Sequence, residues 1–452
     1  MYPTADTLAP PAAPAPSPAP SPAPAPASGA ALHALVRRLY PICRSITGDG
    51  VRASLAILQE YLPGLLVREV PTGTPVLDWQ VPREWNIRAG WIKNARGERV
   101  VDFAAHNLHV LGYSVPVRGW FTLAELRQHL HSLPEQPDLI PYRTSYYAEA
   151  WGFCLTHRQL LALREPRYEV CIDSSLAAGA LSYGELLLPG AVAEEVLISC
   201  HVCHPSLAND NLSGIAVAVG LARHLGQEPR HYSYRFVFAP GTIGAITWLS
   251  ESPAAVARVR HGLVLSLLGH AGAFTYKKSR RATAAIDRAV ALALREAALP
   301  HHLTDFTPYG YDERQYCSPG FDLPVGCLSR TPYGQFAEYH TSADDLAFVQ
   351  PAALAGALRL VQAALAVLDG NARYQNRCPY GEPELGRRGL YGPLGGAPAH
   401  PDGQLALLWV LNLSDGQHTL LDIAERARLP FAQLRHAAER LLAHELLTRL
   451  PD

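Results

Sequence analysis

The chain has 452 residues, 48% of them hydrophobic, and a formal net charge of -1. That length admits two or three domains and that apolar content supports large cores. Near-neutrality excludes a global field that would gather nucleic acid, anionic membrane or acidic substrate, and no run approaches the ~18 uninterrupted apolar residues of a membrane span.

Residues 10–28, PPAAPAPSPAPSPAPAPAS, are low complexity. Such a run favours extended, solvated backbone and builds no core, so residues 1–30 read as a disordered tether. Helical spacing begins at ALHALVRRLYPI (31–42), which opens a main domain expected over 31–80 and 161–370. Between them, residues 81–160 change character. Alternation through PREWNIRAGWIKNARGERVVDFAAHNLHVLGYSVPVRGWF predicts short antiparallel strands, and FTLAELRQHLHSL predicts one amphipathic helix. This is a small α+β module set into the larger domain.

From 167 to 370, strands such as YEVCID, EEVLISCHV, YSYRFVFAP, GLVLSLLG and DLPVGCLS alternate with helical runs such as DNLSGIAVAVGLARHL and AAIDRAVALALREA. That alternation predicts a mainly parallel sheet between helix layers. Sites in such sheets lie beyond the carboxyl ends of the strands. A Pro/Gly-rich link (371–400) precedes three helical stretches over 401–452, a winged-helix pattern. That region carries five arginines and seven acids, a balance of 5 − 7 = −2. Binding DNA needs a basic face, so a protein contact or dimerisation is expected there, and no nucleic acid.

Eight cysteines, Cys43, Cys154, Cys171, Cys200, Cys203, Cys317, Cys327 and Cys378, do not space as a disulfide framework. Free thiols are expected. The N-terminus lacks the basic and apolar regions of a signal peptide, so a cytoplasmic location is expected. Cys200 and Cys203 form one C-x-x-C, but no second pair occurs, and core packing is the better reading.

The strongest chemical signal is ISCHVCHPSLANDNLSG (198–214). His201 ends a buried strand and Asp210 opens the following helix, so both can face one crevice. EYHTSADD adds His340 beyond a later strand. Imidazole and carboxylate at sheet-edge loops are the donors of a hydrolytic zinc site, and a carboxylate can bridge two ions. Asn209 and Asp210 also suit a helix cap. His204 precedes Pro205 and reads better as a loop residue. The run Lys277, Lys278, Arg280, Arg281 is a solvated face or an anion site.

The order His201, Asn209-Asp210, Ser213-Gly214 and Tyr339-His340-Thr341 resembles the co-catalytic zinc aminopeptidases, a superfamily that includes leucyl aminopeptidases and glutaminyl cyclases. YPICRSITGDGVR (40–52), PYRTSYYAEAWGFC (141–154), FAPGTIGAITWL (238–249), FTYKKSRR (274–281) and YGYDERQYCSPGF (309–321) resemble a bacterial aminopeptidase-like subfamily associated with polysaccharide biosynthesis. The resemblance implies a phosphorylase/hydrolase-like three-layer α/β sandwich, an inserted domain and a C-terminal winged helix. It implies that His201, Asp210 and His340 hold one or two zinc ions. The superfamily's Glu-Glu pair, base and ligand, is replaced by Gly241-Thr242, and a further aspartate ligand by Gly269-His270. His270 is therefore a candidate substitute ligand or a substitution at a degraded site; either metal-bound water works without that base, or Glu313, Asp312 or another carboxylate supplies it, or the activity is lost. Tyr309, Tyr311 and Tyr339 are candidates to line a substrate pocket or to pack, and Glu338 is a candidate to read a substrate amine. The expected reaction is removal of an N-terminal amino acid, or cleavage of another small amide, from a small peptide or aminoacyl-amide substrate. No membrane partner is expected; a homo-oligomer stays open. Gly241 also leaves open a catalytically impaired protein that binds a peptide or glycan precursor, and the tail domain a regulatory protein.

Overall fold

The computed structural model describes residues 28–391 and 401–451; residues 1–27 of the tether expected over 1–30 lie outside the described residues, and its last three residues instead cap and open the helix Gly29–Leu39. An eight-stranded mixed sheet runs through the main domain in the order Leu66–Pro71, Ala180–Leu188, Ser233–Ala239, Glu195–His201, Val259–Leu265, Val325–Ser329, Phe274–Lys277, His301–Thr304. The four central strands are mutually parallel, and antiparallel pairs flank them.

Strand periodicity sorts the side chains into two cores. Val196, Ile198 and Cys200 face one helix layer with Tyr234, Phe236 and Phe238. Leu197, Val237 and Ala239 face the other, with Ile243 and Trp248. Helices Gly29–Leu39, Gly214–Leu225, Ala285–Glu296 and Pro351–Gly370 build the first layer, and Ile243–Glu251 and Glu313–Tyr316 belong to the second. The helix Pro351–Gly370 is long and apolar enough to cross a bilayer, but it packs against Gly29–Leu39, Gly214–Leu225 and Ala285–Glu296 as a core helix.

The small module holds a four-stranded antiparallel sheet, ordered Arg99–Asp102, Glu84–Lys93, Arg167–Ala177, Val117–Thr122. Arg167–Ala177 thus corrects the reading of YEVCID as part of the main alternation. Its alternating residues Tyr168, Val170 and Ile172 fill the small core beside Ile92, Val101 and Phe153. The single helix expected over 121–133 is also corrected. A capping box starts it at Thr122, but it ends at Arg127, and Leu130–His131 pairs with Phe153–Cys154. His129 leaves the helical path to stack on Trp151, centroids 3.7 Å apart.

The winged-helix region contains helices Pro401–Leu413, Leu420–Ala427 and Phe431–Ala443. Its three-stranded sheet is centred on Arg373–Asn376, within the stretch read as a link. The region docks on the main domain. Arg288 pairs with Asp422 and Glu425, each at 2.6 Å, and the Phe431 N–H donates to Glu296 Oε1 at 2.8 Å.

Candidate metal centre

His201 is the last residue of its buried strand, so the β-sheet itself aims it at the crevice. Past it the chain turns back into the helix Gly214–Leu225 through residues 208–213, where Asp210 and Asn211 depart from helical dihedrals. This turn brings the fully buried Asp210 carboxylate to His201, with His201 Nε2 2.7 Å from Asp210 Oδ1. His340, at φ 54° in the loop after Val325–Ser329, reaches the other oxygen, with Nε2 3.1 Å from Asp210 Oδ2.

The structure adds a residue that the sequence reading set aside. His204 Nε2 lies 3.9 Å from Asp210 Oδ2. Donor atoms of His201, His204 and Asp210 lie within 4.8 Å of one another. Burial pushes the His204 imidazole down to about 3, so it is neutral and able to donate its lone pair. Burial pulls the Asp210 carboxyl up, but His204, His201 and His340 together hold it well below the usual carboxylate range. A neutral His204 imidazole beside an ionised Asp210 carboxylate is the donor state a divalent metal requires.

The ligand loops are themselves held. Asp344 is fully buried, and its carboxylate accepts the Asn209 N–H at 2.5 Å and the Asp210 N–H at 3.0 Å. The inserted module pins the His340 loop. Pro141 bridges Thr341, the Tyr142 N–H donates to the His340 carbonyl at 2.7 Å, and the Ser342 N–H donates to the Ile140 carbonyl at 2.9 Å. Tyr142 packs over His204 and His340, about 5 Å from each ring, and shares a 2.6 Å hydrogen bond with Tyr146. Neither tyrosine stood out in the sequence beyond its motif.

A cavity of about 200 Å³ opens over the cluster, and Asp312 and Tyr311 line it beside His201, His204, Gly241 and His340. The Tyr311 ring stacks on His201 at 4.8 Å, and its hydroxyl lies 3.4 Å from Asp210 Oδ2. A Cβ added to Gly241 would stand 3.1 Å from His201 Cβ and 3.4 Å from Asp312 Oδ1. The Asp312 carboxylate therefore stands beside the glycine that replaces the superfamily's acidic pair. Both of its oxygens are buried without a hydrogen-bond partner, and burial pushes its carboxyl up to about 7, against the pull of His201.

Other sequence candidates lie apart. Glu313 turns away from the cavity to pair with Lys277. His270 is not among the grouped donors: its ring is sandwiched between Phe336 and Phe348, centroids 5.2 Å from each, and its Nδ1 meets Asn209 Nδ2 at 3.3 Å. Glu338 is not among the residues lining the cavity, and its carbonyl accepts from Thr341. Tyr339 stacks on His340 at 3.9 Å, while Tyr309 is 69% exposed against Tyr333. Lys278, Arg280 and Arg281 pair with Asp305 and Asp322, so the basic run is a neutralised surface. All eight cysteines are free. Cys200 and Cys203 are buried, and Cys203 Sγ touches His204 Nδ1 at 3.2 Å.

A largely parallel sheet between helix layers, with a His/His/Asp cluster at the carboxyl end of its central strands, defines an aminopeptidase-like metal-site domain. Residues 33–371 match the family described as a domain of unknown function, DUF4910, and residues 372–449 match a winged helix-turn-helix family. The chain belongs to the DUF4910 family, joined to a winged helix. It is 45% identical over 419 residues, 93% of its length and 96% of the relative's, to a Clostridium acetobutylicum protein provisionally named a polysaccharide biosynthesis protein with an aminopeptidase-like domain. A crystal structure from the same organism, described as a peptidase candidate, superposes with TM-score 0.89 at 44% identity, covering 93% of this chain and 96% of that one. A zinc aminopeptidase from Bacillus subtilis shares the fold at TM-score 0.57 and 12% identity, over 76% of this chain and 95% of that one.

Proposed function

We propose that this protein is a zinc-dependent hydrolase that cleaves a small amide, removing an N-terminal amino acid or a related acyl group. The observation that carries the reading is the convergence of His201, His204 and His340, which line one cavity, on the buried Asp210 carboxylate. These residues would hold the metal. Bound zinc supplies Lewis acidity, polarising a carbonyl and acidifying water. Asp312 is the further carboxylate lining the cavity, and its unpartnered oxygens suit it to take a proton from water and pass it to a leaving amine. Glu313, neutralised by Lys277, is unsuited to that role. Asp344 orients Asp210 through the backbone, and Tyr142 and Tyr311 wall the cavity and limit access of bulk water.

The impaired-enzyme reading that Gly241 raises is less well supported, because Asp312 stands beside the vacated position. The division into a main domain, an insert that begins near residue 81 and runs on through the strand Arg167–Ala177, and a winged helix fits a site whose loops the insert buttresses. A cytoplasmic setting suits the free thiols. The test is a panel of aminoacyl amides offered to zinc-loaded protein, beside the Asp312→Asn variant. Turnover that chelation abolishes and Asp312→Asn depresses supports the reading. Zinc-loaded protein that turns over no amide returns the balance to a binding protein.

A further inference from the structure

A second, larger cavity of about 650 Å³ lies between the insert and the His340 loop. It shares Tyr142, Thr144 and His340 with the cavity over the cluster, so the two adjoin at the site. Its volume is that of a small-molecule site. Besides His340, three basic side chains, His129, His131 and Arg143, line it, and no carboxylate is among its lining residues. Two arginines of the insert outside this cavity face acids: Arg83 meets Glu149, and Arg158 meets Asp138 at 2.5 Å. The Arg143 guanidinium has no ion pair or hydrogen bond among the described residues.

The neighbouring groups fix the cavity's shape and polarity. His129 stacks on Trp151, and its Nδ1 lies 3.1 Å from the Trp151 carbonyl, which holds the ring in place. His131 is held below its ordinary range by burial first, then by repulsion from Arg143 and His129. Arg143 supplies the permanent positive charge of this wall, and an anion beside it would meet a charge-assisted donor. Trp151 adds an apolar face to the same cavity.

We propose that this cavity is a subsite for a substrate moiety bearing a compact anion, a carboxylate or a phosphate, held by Arg143 with His131 next to the bond that is cleaved. The word substrate rests on the hydrolase reading; the anion site does not. The inserted module then sets specificity as well as buttressing the His340 loop.

The experiment is calorimetric titration of glutarate and of inorganic phosphate into full-length protein, zinc-loaded and metal-stripped, for wild type, Arg143→Gln and Arg143→Lys. Charge-assisted hydrogen bonds predict that Arg143→Gln weakens the preferred anion about tenfold to a hundredfold, with partial recovery in Arg143→Lys. Preference for glutarate marks an acidic side chain, and preference for phosphate marks a phosphorylated group. The effect must persist in metal-stripped protein, since an anion sitting on the metal would be lost with it. Absence of anion binding to folded wild type, or an unchanged Kd in Arg143→Gln, overturns the subsite. Zinc content of the same samples judges the hydrolase reading separately: a protein that holds no zinc yet binds anion through Arg143 loses that reading and keeps the subsite.

Discussion

Replacing Asp344 with asparagine removes one of two buried oxygens that accept backbone N–H groups from Asn209, at 2.5 Å, and Asp210, at 3.0 Å. The asparagine carbonyl can serve one of these donors, and its NH₂ group faces the other. A buried donor left without an acceptor costs about 1–3 kcal/mol, so the folded protein should melt at a lower temperature. The Asp210 backbone then shifts relative to His201 and His340. Loss of a group that orients a metal ligand weakens metal binding about 10- to 100-fold, or about 1.4–2.8 kcal/mol. The assay is competition for zinc with a chromogenic chelator, beside thermal unfolding of the metal-stripped proteins. Asp345→Asn is the control, because that carboxylate caps Ala347 and Phe348 instead. A folded Asp344→Asn variant with zinc affinity within about twofold of wild type would refute the orienting role.

Asp312→Asn should retain zinc while kcat falls about 10²- to 10⁴-fold, the usual contribution of a general base; unchanged kcat removes Asp312 from the chemistry. Arg288→Ala should free the winged helix from Asp422 and Glu425, costing about 1 kcal/mol, and a protease should cut near residue 371 faster than in wild type. Glu84 ties the insert to the main domain through Arg52 and the Ala180 N–H, with Asn86 of its own strand as a further donor, and the Arg52 contact leads in holding its carboxyl at about 2 instead of the ordinary 4.5. A depressed folded-state value stabilises the protein above pH 4.5, and that stabilisation is lost as pH falls toward 2. Glu84→Gln should therefore be less stable at neutral pH and lose less between those limits in an acid titration followed by circular dichroism.

Much of the site was legible because its residues follow from chain geometry. His201 ends an apolar strand, Asp210 opens the next helix, and a parallel sheet gathers such positions at one edge. His204 was missed because Pro205 marks a loop, yet a loop three residues past His201 is what returns a second imidazole to the same carboxylate. His270 sits at a ligand's place in the chain. Its place outside the grouped donors goes with Phe336 and Phe348, which arrive from more than sixty residues away and sandwich the ring. Asp312 and Glu313 are adjacent and chemically alike; Lys277 takes one and leaves the other facing the cavity. Asp344 acts on backbone N–H groups, which leave no trace in side-chain pattern. The strand Arg167–Ala177 changed sheets because strand pattern reports a buried face and not which sheet it covers.

The central claim is that four side chains form one metal centre, and zinc stoichiometry tests it most directly. Elemental analysis of purified, zinc-reconstituted protein should find at least about one ion per chain, and Asp210→Ala should lose it while remaining folded. His204→Ala should weaken it, whereas His270→Gln should retain it. Wild-type protein without zinc after reconstitution, or an Asp210→Ala variant with the full complement, would contradict the account.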